Sequence, residues 1–351
     1  MFHKITEATV TIDAPKEEKI SADLPVFYNP VMKFNRDVSI LLLKAIDNKD
    51  MQVCDLLAGS GIRSIRFLVE LPKEKIKSIT INDYDETSVH LIENNIKANK
   101  GKFSNRTASI EVTNNEATSL LLKSSGFDYI DIDPFGTPNP FLDVAARRMS
   151  REGILAVTAT DTSSLAGSFP KACRRKYWAT PDNGPLKHES GLRILIRKVQ
   201  LIAAQYDKAL TPIYSYSKEH YMRIFFRCNK GKAKVDDLLK QHGKFNDAGP
   251  MWLGQLWDPK LADKIAKLAH GLDYDTDTKF LDMIKEESLI DIVGFHDLHV
   301  LCKKNKIPVP KFESLFKKIA DKHKLARTHF SDYGIRSDIP EEELSRLLKS
   351  K

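Results

Sequence analysis

Met51-Gln52-Val53-Cys54-Asp55-Leu56-Leu57-Ala58-Gly59-Ser60-Gly61-Ile62-Arg63 is the stretch on which the fold turns. Its first seven residues read as a buried strand. Beyond Gly59-Ser60-Gly61, residues Ile62, Ile65, Leu68 and Val69 recur at helical spacing. A strand that enters a helix through two glycines lets the backbone turn tightly and lets a ligand approach the main chain. The alternation continues outward. Residues 78–83 read as a strand, followed by a helix with Val89, Ile92 and Ile96 on one face and Asp85 and Glu86 at its start. Residues 109–113, 129–132 and 153–158 read as three more strands, with a helix around 141–146 between the last two. This pattern predicts an α/β fold, a parallel sheet with helices on both faces and right-handed crossovers. After a helix over 192–206, the runs 210–217 and 220–228 are joined only by Lys218-Glu219, which predicts an antiparallel hairpin. A dehydrogenase-type sheet would continue strand-helix-strand instead.

Composition bounds the rest. The chain has 351 residues, 42% hydrophobic and 29% charged, enough for two domains and unlike a disordered or fibrous chain. Past Asn229-Lys230-Gly231-Lys232, short helical stretches are broken by Gly249-Pro250, Pro308 and Pro310. The expected division is therefore residues 1–240 for the sheet domain and 241–351 for a smaller, mainly helical domain. No apolar run approaches the ~20 residues that cross a bilayer. The N-terminal residues carry no signal-peptide apolar core, so a cytoplasmic address and no membrane partner are expected. Lys plus Arg is 55 against 47 for Asp plus Glu, a net charge of +8 that permits nucleic-acid binding. Cys54, Cys173, Cys228 and Cys302 are scattered without a CxxC, which argues against a zinc site or a disulfide framework.

Asp83 lies 22 residues after Gly61, at the end of the next strand, where a carboxylate can accept both hydroxyls of an adenosine ribose. Two cofactor classes fit this geometry. A dinucleotide needs a third small residue, and position six of the motif is Ser64, so that fingerprint is imperfect. S-adenosylmethionine carries an α-carboxylate that an arginine can grip in bidentate fashion, and Arg63 and Arg36 are the candidates. Asn115-Glu116-Ala117 ends the third strand, where it can contact adenine.

Asp131-Ile132-Asp133-Pro134-Phe135-Gly136 closes the fourth strand. Open α/β sheets place their chemistry at the carboxyl ends of central strands. An exocyclic amine is a poor nucleophile because its lone pair is delocalised into the base. A carboxylate at Asp133 and the Pro134 carbonyl can accept its N–H groups, localising the lone pair and orienting the base. Phe135 can stack on the base face.

At these residues the chain resembles the tRNA (guanine-N2)-dimethyltransferase family that modifies guanine 26. The resemblance is carried by Pro25-Val26-Phe27-Tyr28-Asn29-Pro30, Asn35-Arg36-Asp37, Gly61-Ile62-Arg63-Ser64-Ile65-Arg66-Phe67, Asn82-Asp83 and Asp131-Ile132-Asp133-Pro134-Phe135-Gly136. It continues through Val157-Thr158-Ala159-Thr160-Asp161, Gly249-Pro250-Met251-Trp252-Leu253-Gly254 and Arg327-Thr328-His329-Phe330, so it spans nearly the whole chain. It implies a class I methyltransferase (Rossmann-like) sheet and a C-terminal tRNA-binding domain. It implies S-adenosylmethionine at the Gly59 and Gly61 turn, held by Arg36, Arg63, Asp83, Glu116 and Ala117. Asp133 would be catalytic, with Phe27 and Phe135 positioning the base. Some relatives carry cysteine pairs before the Gly-Pro-x-Trp stretch; this chain has none, and no metal is expected.

Two basic stretches suit RNA. Lys171-Ala172-Cys173-Arg174-Arg175-Lys176-Tyr177-Trp178 sets four cations beside two aromatics, and residues 303–327 hold nine Lys or Arg against Glu313 and Asp321. His188-Glu189 lacks the second histidine of a metalloprotease motif, since Leu192 stands there, and reads as structural. The expected function is N2-dimethylation of a tRNA guanine extruded into a pocket beside Asp133, with no obligate protein partner. The alternatives are methylation of an exocyclic amine in another nucleic acid, or a non-catalytic RNA-binding protein that keeps the fold.

Overall fold

The structure is a computed structural model that describes residues 2–15 and 26–349; Pro25 of the first family stretch lies outside them. Two short strands open it, β1 (Phe2–Glu7) and β2 (Val10–Pro15), paired as an antiparallel hairpin. Helix α1 (Lys33–Ala45) follows, then the alternation read from the sequence: β3 (Met51–Asp55), α2 (Ile62–Glu70), β4 (Ile76–Asp83), α3 (Glu86–Phe103), β5 (Ser109–Asn114), α4 (Ala117–Lys123), β6 (Phe127–Ile132), α5 (Asn139–Arg148) and β7 (Met149–Ala159). Helices α6 (Thr162–Leu165), α7 (Pro170–Tyr177) and α8 (Lys187–Ala204) lead to β8 (Lys208–Lys218) and β9 (Tyr221–Lys230).

The main sheet has seven strands in the order β5-β4-β3-β6-β7-β9-β8. The first five are parallel, and β9 pairs antiparallel with both β7 and β8. The predicted hairpin is present, with its turn at Glu219-His220 rather than Lys218-Glu219. Glu219 takes a left-handed φ of 51° there. The expected helix over 192–206 begins five residues earlier, because Glu189 pairs with Arg193 one turn on, Oε1 to Nε 2.8 Å. Strand order reverses between β3 and β6, and such a switch point leaves a crevice at the carboxyl ends of both strands. Register sets Asp55 of β3 beside Asp131 of β6.

The N-terminal hairpin has no counterpart in the sequence reading. Val10, Ile12 and Ala14 are buried against Ile62 and Ile65 of α2, and its two strands are too short to stand out by periodicity.

The C-terminal third contains α9 (Lys232–Leu239), a hairpin of β10 (His242–Phe245) and β11 (Ala248–Trp252), α10 (Pro259–His270) and α11 (Thr278–Glu287). It ends with β12 (His296–Asp297), α12 (Leu298–Asn305), α13 (Phe312–Ile319), β13 (Leu325–Arg327), β14 (Gly334–Ser337) and α14 (Glu341–Lys349). The strands β12-β14-β13 form a small sheet. The core of the main sheet continues through Met251, Trp252, Leu261, Ile265, Leu281 and Ile284. A second core of Leu298, Leu301, Leu315, Ile319, Ile335, Ile339 and Leu344 holds the final elements.

Arg336 of β14 joins the two parts. It is fully buried and donates to Glu189 Oε2 of α8 at 2.6 Å and to Glu287 Oε1 of α11 at 2.8 Å. Glu189 is therefore one end of a buried ion network, in line with a structural role for His188-Glu189.

Candidate active site

Asp133 stands just beyond β6, and its side chain lines a cavity of about 550 Å³. The glycine turn, Leu57 to Ser60, forms one side. Phe27, Tyr28 and Asn29 form another, Pro134, Phe135, Gly136, Thr160 and Asp161 a third, and His220 and Tyr221 reach in from the β8–β9 turn. The Phe27 and Phe135 rings meet edge to face with centroids 6.0 Å apart. Phe135 is 61% exposed, a large cost in unburied apolar surface for a residue held at a rim.

The turn is built as its glycines require. Gly59 has φ +53°, and a Cβ there would lie 2.5 Å from the Phe27 carbonyl oxygen. Gly61, with φ +76°, is the N-cap of α2. Gly59 N donates to Asp83 Oδ2 at 2.7 Å and Asp85 N to Asp83 Oδ1 at 3.0 Å, so Asp83 braces the turn. Burial raises the Asp83 carboxyl above its usual range, against these two hydrogen bonds.

Below the cavity lies a buried charge layer. Arg63 Nη1 donates to Asn35 Oδ1 and Ser39 Oγ, each at 3.0 Å, and Nη2 pairs with Asp133 Oδ2. Arg63 also lies 3.4 Å from Asp131 Oδ2. Arg223, near the start of β9, donates to both oxygens of Asp131 at 2.9 and 2.7 Å and to Thr158 Oγ1 at 2.9 Å. Burial alone would raise Asp131, but Arg223 and Arg63 outweigh it and hold its carboxyl below the usual range. Asp55 is different. Burial pushes its pKa up to about 6, with Asp131 and Asp133 adding repulsion and Arg63 opposing. Ser64 Oγ donates to Asp55 Oδ2 at 2.7 Å.

The other expected residues fall in two groups. Arg36 lines the cavity, yet its guanidinium is paired with Glu7 of β1, Nε to Oε2 at 2.9 Å, and donates to the Asn29 carbonyl at 3.1 Å. Burial would raise Glu7, and Arg36 and Arg66 more than offset it. Gly61, Asp83, Glu116 and Ala117 are not among the residues lining the cavity. Glu116 caps α4, accepting from Thr118 N at 2.9 Å and Ser119 N at 2.8 Å. Hydrogen bonds from Thr118, then from Ser119, hold its pKa down to about 2. Ala117 is the first residue of that helix and is buried.

Sequence reading left Glu7, Asp131, Asp161 and Arg223 without a role, and set Tyr177 among the RNA-facing aromatics, whereas the structure buries its ring completely. Two of these had a visible signal. Asp131 is a carboxylate inside an apolar strand run two residues before Asp133, and Arg223 is a cation inside another with no local partner. Tyr177 Oη donates to Asp161 Oδ1 at 2.5 Å and lies 2.9 Å from Thr137 Oγ1.

The cavity volume lies within the ~300–1,000 Å³ of small-molecule sites. A glycine turn against which no side chain fits, two arginines on the wall and a carboxylate facing them suit a ligand with an adenosyl group and an amino-acid end. Among the described residues, no group of three or more His, Cys, Asp or Glu could hold a metal ion.

A parallel sheet that ends with β9 inserted antiparallel between β7 and β8 is the fold of class I methyltransferases, which take their methyl group from S-adenosylmethionine. The chain belongs to the N2,N2-dimethylguanosine tRNA methyltransferase family, whose model matches residues 6–247 and 240–349. It is 37% identical to the tRNA (guanine(26)-N(2)/guanine(27)-N(2))-dimethyltransferase of Aquifex aeolicus, over 98% of this chain and 95% of that one. It is 35% identical to the tRNA (guanine(26)-N(2))-dimethyltransferase of Thermococcus kodakarensis, over 99% and 98% of the two chains. The solved structure of Trm1 from Pyrococcus horikoshii with S-adenosyl-L-methionine superposes with a TM-score of 0.88 at 35% identity, covering 98% of this chain and 99% of that one.

Proposed function

We propose that this chain transfers methyl groups from S-adenosylmethionine to the exocyclic N2 of guanine 26 in tRNA, giving N2,N2-dimethylguanosine, with Asp133 as the catalytic residue. The observation that carries the assignment of residues is the Asp133 carboxylate on the cavity wall, beside Phe27 and Phe135 and across from the glycine turn. Bound S-adenosylmethionine supplies a methyl group on a positively charged sulfur. Arg36 and Arg63 are the residues to hold its carboxylate and Gly59 to meet its adenosyl part; Asp83, which braces the Gly59 turn, and Gly61, Glu116 and Ala117, all outside the cavity lining, would complete the adenosyl site.

The protein's own groups then act on the base. The Asp133 carboxylate and the Pro134 carbonyl accept the N–H groups of N2, which turns its lone pair away from the ring and toward the donor. Phe135 stacks on one face of the extruded purine and Phe27, set edge-on to Phe135, positions it, which offsets part of the unstacking cost of a few kcal/mol. As the N–C bond forms, the S–CH3 bond of the donor breaks and its electron pair stays on sulfur as a neutral thioether; the amine proton passes to the Asp133 carboxylate, which releases it to solvent. One hydrogen remains on N2 after the first transfer, so the same groups serve a second.

Residues 1–240 form the catalytic part and 241–351 the tRNA-binding part in this reading. The excess of Lys and Arg over residues 303–327 supports the second assignment. No described helix is long and apolar enough to cross a membrane, and tRNA as substrate supports a cytoplasmic address. The test is nucleoside analysis of tRNA transcripts incubated with the enzyme and labelled S-adenosylmethionine. N2,N2-dimethylguanosine is expected from a transcript with guanine 26 and is lost when that base is adenine. Label in DNA adenine, or no label at all, would overturn the reading.

A further inference from the structure

Helix α7 carries charge that its own environment does not explain. Lys171, Arg174 and Arg175 are exposed, and among the described residues no acidic side chain pairs with any of them. Lys176, by contrast, is neutralised by Asp161 at 3.2 Å. Arg174 and Arg175 sit in the last turn, where a cation is favourable to the helix dipole; Lys171 sits in the first turn, where it is not. Spacings of three and four residues set all three cations on one face. Phe169, just before the helix, is 61% exposed.

The helix is also fixed to the catalytic rim. Cys173 and Tyr177 are buried beneath it. The Tyr177 hydroxyl holds Asp161, which lines the cavity, and Thr137, which follows Gly136. The cations on α7 therefore stand at a set offset from Asp133.

We infer that this face of α7 is a phosphate-gripping ledge for the substrate tRNA, with Lys171, Arg174 and Arg175 on the backbone of the strand that carries the extruded guanine and Phe169 stacked on a neighbouring base. Three unpaired cations beside an exposed ring match a polyanion with stackable bases. Phosphates carry no sequence information, so the ledge sets position and register while the pocket selects the base. The inference rests on the tRNA-methylation reading and adds, beside the pocket, a second contact surface to the one that reading places on residues 241–351.

The test compares the full-length chain with the variant Lys171→Gln/Arg174→Gln/Arg175→Gln on a tRNA transcript at several salt concentrations. The expected result is a KM for tRNA raised about tenfold or more, with the slope of log KM against log salt reduced by about one for each phosphate no longer neutralised. kcat should stay within about twofold, and calorimetric affinity for S-adenosylmethionine and Tm should not change. An unchanged KM and salt slope in the variant, with the wild-type chain active, would overturn the ledge and leave the function standing. Should the wild-type chain methylate no tRNA, the function falls, and filter binding of tRNA judges the ledge alone, with equal affinity overturning it. If the triple variant does not fold, Lys171→Gln and Arg175→Gln singly are each expected to lower the slope by about one, and no change in either overturns the proposal.

Discussion

Arg63 and Asp133 form an ion pair across the wall of the cavity, Nη2 on Oδ2. The same guanidinium is tied to Asn35 and Ser39 of α1 through its other nitrogen. One arginine thus links the glycine-turn helix, the first helix and the end of β6, and it fixes where the Asp133 carboxylate points. Replacing Asp133 by Asn keeps the shape of the side chain and removes a proton acceptor. kcat for tRNA methylation is expected to fall by about 10²–10³, with calorimetric affinity for S-adenosylmethionine kept within about threefold. Retained turnover would remove Asp133 from the catalytic role.

Gly59 admits no side chain, because a Cβ meets the Phe27 carbonyl at 2.5 Å and φ is +53°. Gly59→Ala should push the Phe27 segment away from the turn. Calorimetry is expected to register a loss of S-adenosylmethionine affinity of about tenfold or more, with denaturant stability lowered by about 1–3 kcal/mol.

Phe135 touches little of the core, so Phe135→Ala should leave the denaturation midpoint close to wild type. Base stacking is worth about 1–3 kcal/mol, and kcat/KM for tRNA is expected to drop by about 10- to 100-fold. A stability loss comparable to that of a core phenylalanine would instead make Phe135 a packing residue.

Asp55 gives a pH dependence. Its folded pKa of about 6 lies above its ordinary value of 3.8, so folding favours the protonated form. The penalty is absent at low pH, grows as pH rises from about 4 through about 6, and is complete above that range. Asp55→Asn removes it, and urea denaturation at pH 7 to 8 should show the variant more stable by about 2–3 kcal/mol, with the difference vanishing near pH 4. A variant less stable at every pH would mean that the Asp55 charge is fully compensated by Arg63.

Glu287 has the opposite sign. Burial would raise it, yet His329 and Arg336 hold its pKa down to about 2, against an ordinary 4.5. Its contribution is full above about 4.5 and is lost as pH falls toward 2. Glu287→Gln leaves Arg336 partly unpaired in the core and is expected to cost about 3–5 kcal/mol at pH 7, with a flatter Tm profile between pH 4.5 and 2.

The parallel part of the sheet was legible because each unit has local signs: an apolar strand of four to seven residues, a turn with Gly or Asp, and a helix with one apolar face. The terminal hairpin was legible from two runs too close together to hold a crossover. Asp133 could be read from its place at a strand end beside proline and phenylalanine. What escaped the sequence is long-range. Arg36 meets Glu7 across a hairpin that has almost no periodic signal, and Arg223 meets Asp131 from 92 positions away. Pairings of that separation depend on sheet order and register, which composition and spacing do not encode. Glu116 shows a third case: its place after β5 was visible, but its hydrogen bonds to the start of α4 depend on local backbone angles.

The insertion of β9 between β7 and β8 bears on synthesis. Chain emerging from a ribosome presents β3 to β7 first, and those strands already hold the glycine turn and Asp133. β8 cannot dock on β7 by itself, since its neighbour in the sheet arrives later. Asp131 accordingly waits for Arg223, and until at least residue 223 is translated the nascent polypeptide carries beneath its pocket an acid whose one cationic neighbour is Arg63. Ribosome-bound fragments that end at Lys208 should therefore be open to protease, whereas fragments that expose residue 230 should resist it.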